Sequence, residues 1–185
     1  MADSLPTPVL PSFDRWVDDR LDRLRGNRVL DRVMYSASAL GDDGRGWIAL
    51  SALLIPFDRD RGRRFARDMA WLTIESIVVN KPIKDLVDRP RPPRARVPPH
   101  ALRTPKDTSF PSGHAAAAGT MAVLVPRNRW MVPAVWALAG AISVSRVYVG
   151  VHHASDVVAG FAIGVAFGIA GRTLGPSAGA TRPAR

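Results

Sequence analysis

The sequence predicts an all-α integral membrane bundle of about five to six helices, preceded by an N-terminal amphipathic helix. Three observations carry that expectation. Apolar and charged residues are segregated, so a chain that is 46% hydrophobic has a mean hydropathy of only −0.01. The apolar runs are joined by short charged loops, the pattern of a compact helical membrane domain. One run, "VVAGFAIGVAFGIAG" from Val157 to Gly171, repeats glycine at Gly160, Gly164 and Gly168. Small residues at that spacing let membrane helices approach closely. A soluble all-α bundle with buried helices is the alternative reading of the same runs.

The elements follow in chain order. Residues 1–12 are proline-rich and read as extended or disordered. From residue 13 to 40 the pattern is that of one amphipathic helix. Phe13, Val17, Leu21 and Leu24 recur at helical spacing, while Asp14, Arg15, Asp18, Asp19, Arg20, Asp22 and Arg23 fill the other faces. Such a helix lies at a membrane interface or packs on the domain with one side solvated, and both readings stay open. After "GDDGRG" comes "WIALSALLIPF", Trp47 to Phe57, which is short against the roughly 20 residues of a crossing. A sixth span between Val29 and Leu40 is too short and too polar to count.

The charged loop "DRDRGRR" leads to "FARDMAWLTIESIVVNKPIK", an apolar helical face with one interior acid, Glu75. An acid in that setting is either a functional intramembrane group or, the reading preferred here, paired with a neighbouring polar side chain. Apolar runs from Pro111 to Val125, Trp130 to Ser145 and Val157 to Gly171 complete the set. Trp47, Trp71, Trp130 and Trp136 include candidate interface anchors. The segment Arg89–Thr108 is long, irregular and dense in proline and arginine, as functional loops or disordered segments are. One domain is expected over residues 13–174, with a disordered tail at 175–185.

The net charge of +10 and a pI near 11.4 point to an anionic partner: nucleic acid, phospholipid or a phosphorylated substrate. Nucleic acid is set aside. The N-terminal arginines alternate with aspartates, which dilutes a phosphate-binding stripe, and the tryptophans form no stacking platform. The chain has no cysteine, which excludes disulfides, thiolate chemistry and cysteine-based zinc sites. The N-terminus lacks the basic and apolar regions of a secretory signal.

Chemistry-bearing residues gather at the ends of the apolar runs. Lys84, Arg91, Arg94 and Arg96 follow the second run. Ser112, Gly113 and His114 open the next. Arg146, His152, His153 and Asp156 lie between the last two. If the helices alternate in direction, all three clusters fall on one side of the membrane. Lysine and arginine suit a phosphate dianion, arginine through its planar fork. A helix opening at "PSGH" offers free N–H groups and a positive dipole end, and Gly113 lets a ligand near the backbone. Two histidines and an aspartate supply a nucleophile or base, an acid and an orienting carboxylate. The set fits phosphoryl transfer. Zinc binding by His114, His152, His153 and Asp156 is disfavoured, because Lys84, Arg91 and Arg146 would repel a cation.

Lys84-x6-Arg91-Pro92, Pro111-Ser112-Gly113-His114 and Ser145-Arg146-x5-His152-x3-Asp156, in that order, closely resemble the three-part signature of the type 2 phosphatidic acid phosphatase (PAP2) superfamily. Counting from Lys81 fails, since Asp88 stands where the arginine belongs. The resemblance implies a PAP2/haloperoxidase-like helical core and hydrolysis of a phosphate ester without metal or other cofactor. It implies His152 as the nucleophile that becomes phosphohistidine, Asp156 as its orienting partner and His114 as the acid that protonates the leaving oxygen. Lys84, Arg91, Ser112, Gly113 and Arg146 would hold the phosphate. The family spacing selects His152 over His153, and the i,i+4 relation to Asp156 agrees. Ser145, His153 and His100 are expected to be structural or exposed.

These readings combine into a small bacterial inner-membrane, multi-pass enzyme acting on a lipid-linked phosphomonoester or diphosphate, with the loop from Arg94 to Lys106 helping to select the lipid. Arg59, Arg61, Arg63 and Arg64 are expected to be a cytoplasmic topology signal, placing the site outward. The alternatives are a non-catalytic basic membrane or anion-binding module and a vanadate-type haloperoxidase. The first leaves the histidines and aspartate beside the arginines unexplained; the second is a larger, soluble type.

Overall fold

The computed structural model describes residues 9–57, 62–93, 99–100, 102 and 107–174. Residues 1–8, Arg59, Arg61, Arg94, Arg96, Lys106 and the tail from 175 lie outside them. Regular structure among the described residues is entirely helical. The helices are α1 (Val9–Asp22), α2 (Arg28–Gly41), α3 (Arg45–Leu53), α4 (Arg63–Val78), α5 (Lys84–Leu86), α6 (Gly113–Leu124), α7 (Met131–Tyr148) and α8 (Ala154–Leu174).

The centre of the bundle is α6 against α8, and glycine makes it possible. A Cβ on Gly164 would lie 1.9 Å from the carbonyl oxygen of Ala116, and one on Gly160 would lie 2.4 Å from that of Ser112. The two backbones therefore touch, and Thr120 Oγ1 donates across the seam to Gly164 O at 3.0 Å. The small-residue spacing read from the sequence is this seam. Above it Met121, Ala122, Val125, Val135, Ala139 and Ile142 form the main apolar core with Trp47 and Leu72. α7 and α8 are long and apolar enough to cross a membrane.

The sequence expectation of one helix from 13 to 40 fails. The chain breaks after Asp22 and restarts at α2, where Asn27 caps Val29 and Leu30 through its side-chain oxygen. α1 also starts at Val9, inside the stretch read as extended. α2 instead belongs with α3. Asp31 meets the Tyr148 hydroxyl at 2.6 Å, Ser38 meets Arg146, and Gly41 lies against His114 and Ile142. α2 thus descends along α7, and α3 continues into the core at Trp47. The short apolar run at 47–57 is the second half of one broken traverse. The break is made by Asp43 (φ 53°) and Gly44 (φ 69°), a left-handed pair that glycine enters without strain and aspartate tolerates.

α4 runs back, and its end is also irregular. Pro82 lacks the N–H a regular helix needs, and the chain makes a π-helical turn from Val79 to Ile83 before α5. α6, α7 and α8 then alternate, so five passes bring α4–α5, α6, α7 and α8 to one end of the bundle with their site-bearing termini. Trp47 is fully buried in the core and is no interface anchor, whereas Trp130 is 76% exposed.

Candidate active site

His152 sits in the turn between α7 and α8. Gly150, at φ 70°, ends α7 in the left-handed conformation typical after a helix C-terminus. The reversal is closed by the amides of Val151 and His152, both donating to Arg146 O at 3.2 Å. The guanidinium of Arg91 lies 3.2 Å from His152 Nε2 and donates to Val151 O at 2.7 Å. Because a guanidinium only donates, Nε2 is the acceptor, and the imidazole proton belongs on Nδ1, toward Asp156. That contact is 3.7 Å, longer than a hydrogen bond but close enough for the carboxylate to act through its charge. Burial pushes the imidazole down to about 4, with Arg91 and Arg146 acting the same way and Asp156 opposing them. His152 is therefore neutral at physiological pH, with its Nε2 lone pair toward the cations.

Asp156, in the first turn of α8, is itself held. It accepts from the His153 amide at 2.9 Å and from Arg89 Nη1 at 2.5 Å. The other Arg89 nitrogen, Nη2, binds Asp14 of α1 at 2.6 Å, and Asp14 accepts from Ser155 N and Oγ at 2.8 and 2.9 Å. The buried Asp14, read in the sequence as part of a polar face, thus docks α1 on the start of α8.

His114 opens α6, and its Nε2 lies 2.9 Å from Asp42 Oδ1. Asp42 stands at the break between α2 and α3, so the left-handed pair that interrupts that traverse is what aims this carboxylate. Lys84, carried by the turn beyond Pro82, meets Asp107 Oδ2 at 2.5 Å, and Arg91 meets Asp107 Oδ1 at 2.6 Å. Partial burial works against the Asp107 charge, but Lys84 and Arg91 together hold its carboxyl below the ordinary range. Arg146 is fully buried; its Nη1 reaches Ser38 Oγ, while Nε and Nη2 have no partner among the described residues.

Lys84, Arg91, Gly113, His114, Arg146 and His152 all line one cavity of about 500 Å³. The three clusters separated in sequence meet there. Two expected residues stand behind it. Ser112 is fully buried as the N-cap of α6, its Oγ accepting from the Ala115 amide at 3.4 Å. Asp156 supports His152 from the far side. Gly113 lines the cavity, and a Cβ there would meet the Asn80 Oδ1 of the π-helical turn at 2.6 Å, so a side chain at this position would first have to turn Asn80 aside. Ser145 Oγ bonds Ile142 O, His153 reaches Pro90 O at 3.3 Å, and His100 is exposed against Tyr35.

Sequence reasoning missed Asp14, Ser38, Asp42, Arg89 and Asp107 as partners of the site. Arg89 had a signal: it stands two residues before Arg91, on the same side of an extended segment. Asp42 lies in "GDDGRG", which reads only as an interruption. Glu75 was expected to be paired and is not. It is 1% exposed, and among the described residues neither carboxylate oxygen has a hydrogen-bond partner. Among the described residues, no group of three or more His, Cys, Asp and Glu side chains is placed to hold a metal ion.

The family model described as the PAP2 superfamily matches residues 65–177. The undecaprenyl-diphosphatase of Sulfolobus acidocaldarius is 35% identical over 125 residues, covering 64% of this chain and 58% of that protein. The decaprenylphosphoryl-5-phosphoribose phosphatase of Mycobacterium tuberculosis is 33% identical over 132 residues, 71% of this chain and 72% of the relative. Among solved structures, a transmembrane PAP2-type phosphatidylglycerolphosphate phosphatase from Bacillus subtilis aligns with a TM-score of 0.72 at 23% identity, over 96% of this chain and 91% of that one. LpxE of Aquifex aeolicus aligns at 0.69 and 24% identity, over 90% and 96%. The fold is that of PAP2 membrane phosphatases, and the family match spans most of the chain, from the foot of α4 to beyond α8: the chain belongs to the PAP2 superfamily.

Proposed function

We propose that this protein is a membrane phosphatase that hydrolyses a lipid-linked phosphomonoester or diphosphate through a phosphohistidine, without a metal. The observation that carries the reading is a buried His152, its Nε2 beside Arg91, meeting Lys84, Arg146 and a second histidine across one cavity. Lys84, Arg91 and Arg146 bind the phosphate oxygens, joined by the N–H groups that α6 leaves unpaired at Gly113. Asp107 occupies Lys84 and Arg91, and a substrate phosphate takes its place.

His152 Nε2 then attacks phosphorus as the bond to the leaving oxygen breaks, and His114 gives that oxygen its proton. Asp156 stabilises the charge that appears on the His152 ring. In the second step His114 takes a proton from water, water attacks phosphorus, and the P–N bond breaks to release inorganic phosphate. Asp42 holds His114 in place for both transfers. The apolar side of the cavity, with Ile48, Met69, Leu72 and Ile77, suits the lipid.

The bundle sits in a bacterial inner membrane as a multi-pass protein with the site outward. Arg63, Arg64, Arg67, Arg127 and Arg172 belong to the opposite end, where the positive-inside rule puts the cytoplasm. The test is phosphate release by the detergent-purified protein from a panel of lipid phosphates, with and without EDTA, beside His152→Ala. Release that resists the chelator and vanishes in the mutant is expected. Release abolished by EDTA, or undiminished in His152→Ala, would overturn the mechanism.

A further inference from the structure

Asp156 is fixed from behind by a chain of charges that begins in another helix. Its two carboxylate oxygens have separate donors. Oδ2 accepts from the His153 amide at 2.9 Å and faces His152 Nδ1 at 3.7 Å, while Oδ1 accepts from Arg89 Nη1 at 2.5 Å. Donors on both oxygens fix the plane of a carboxylate that one donor would let turn. The Asp156 side chain is fully buried, so water does not replace a donor that is lost.

Arg89 is oriented in turn. Its Nη1 also reaches Ser155 Oγ at 2.7 Å, and its Nη2 reaches Asp14 Oδ2 at 2.6 Å. One guanidinium therefore spans two buried carboxylates, Asp14 on α1 and Asp156 on α8. The planar fork of arginine suits that bridge, and the single nitrogen of a lysine does not. Joining α1 to α8 does not require it, because Ser155 already binds Asp14 through its amide and its hydroxyl. What Arg89 adds is a bond to the carboxylate that faces the nucleophile.

Resting on the phosphatase reading above, we infer that Asp14 and Arg89 are positioning residues for the nucleophile: they hold Asp156 so that its Oδ2 faces His152 Nδ1 and His152 Nε2 faces phosphorus. Both stand outside the cavity and act through Asp156. α1 is thereby part of the apparatus for phosphoryl transfer as well as of the fold.

The test compares two inhibition constants, which do not depend on how much of a preparation is folded. Orthovanadate takes the nucleophilic nitrogen as a fifth ligand, so its binding reports where His152 points. Inorganic phosphate is held by the cations and forms no such bond. Each is titrated against turnover of whichever of phosphatidic acid, phosphatidylglycerol phosphate and farnesyl diphosphate wild type cleaves fastest, followed by the dephosphorylated lipid. Wild type should bind vanadate more tightly than phosphate by about tenfold or more. Asp14→Asn keeps an oxygen for the Ser155 amide and turns an NH2 group toward Arg89. Its vanadate constant should rise about tenfold, with the phosphate constant and KM within about twofold and a lower kcat. Arg89→Met should lose about a hundredfold in kcat, the scale of a misplaced reacting group, and Arg89→Lys should recover part of it. Val17→Ala loosens the same helix through its apolar contacts and should leave both constants as in wild type. A vanadate-to-phosphate ratio unchanged in Asp14→Asn or in Arg89→Met, or shifted as much in Val17→Ala, would overturn the inference and leave the phosphatase standing. No turnover of any lipid by wild type, or no preference for vanadate, would overturn the phosphohistidine reading and the inference with it.

Discussion

Asp68 and Glu75 stand two turns apart on the buried face of α4, and they teach what separates a staple from a site. Asp68 is fully buried at the foot of the bundle. It accepts from Arg67 Nη2 at 2.9 Å and Arg127 Nη2 at 2.7 Å. Both arginines also donate to Leu124 O, and Arg172 donates to Pro126 O. The cluster satisfies carbonyls that the end of α6 leaves over and ties α4, α6 and α8 together. At the other end the same residue types face a cavity. Among the described residues, Arg146 there keeps two nitrogens without partners, and Glu75 keeps two oxygens. Charge that is paired within the protein holds the fold, and charge aimed at a cavity is held ready for a ligand.

That contrast can be broken from either end. Arg146→Met should lower kcat/KM by about a thousandfold, the scale of losing a preorganised donor to the transferring group. Its melting temperature in detergent should be unchanged or raised, because a poorly partnered buried charge is removed; a large drop would make Arg146 a staple too. Asp68→Asn should do the reverse. Leaving two part-buried arginines without this carboxylate costs about 2 kcal/mol, read as a lower melting temperature, while the kcat of the folded fraction stays within about twofold.

Asp42→Asn tests a carboxylate that acts through His114 and not on substrate. A loss of about tenfold in kcat, with KM little changed and an altered pH profile, is expected. An equal loss in kcat and stability would mark Asp42 as structural. Stability itself offers the last test, a pH slope. His152 is held neutral down to about pH 4, against its ordinary 6.5. Between those values the unfolded chain binds the proton and the folded protein does not, so stability falls as pH drops from 6.5 toward 4. Thermal unfolding over that window should show the slope, and His152→Gln should reduce it by about one proton.

The three site clusters were legible because each is local: a histidine with an aspartate four residues on, a serine–glycine–histidine at a helix start, a lysine and arginine flanking a helix end. The seam of Gly160, Gly164 and Gly168 was legible for the same reason. The partners of those residues were not. Asp14 reaches Arg89 across 75 positions, Asp42 reaches His114 across 72, and Ser38 reaches Arg146 across 108. No periodicity encodes such pairs. The merging of α1 with α2 came from following hydrophobic period alone, and the parting of α2 from α3 from reading "GDDGRG" as a boundary, whereas the left-handed Asp43–Gly44 pair only breaks one traverse in two.

By itself, the sequence determined the helical class, the glycine seam and the candidate groups for phosphoryl transfer that meet at the cavity. These follow from side-chain chemistry and from spacings shorter than two helical turns. Only the tertiary structure decided which carboxylate meets which histidine, which arginines are paired with carboxylates and which face the cavity, and that Glu75 has no partner among the described residues. Those outcomes depend on which helix ends the packing brings together, and packing is set by contacts between residues far apart in the chain.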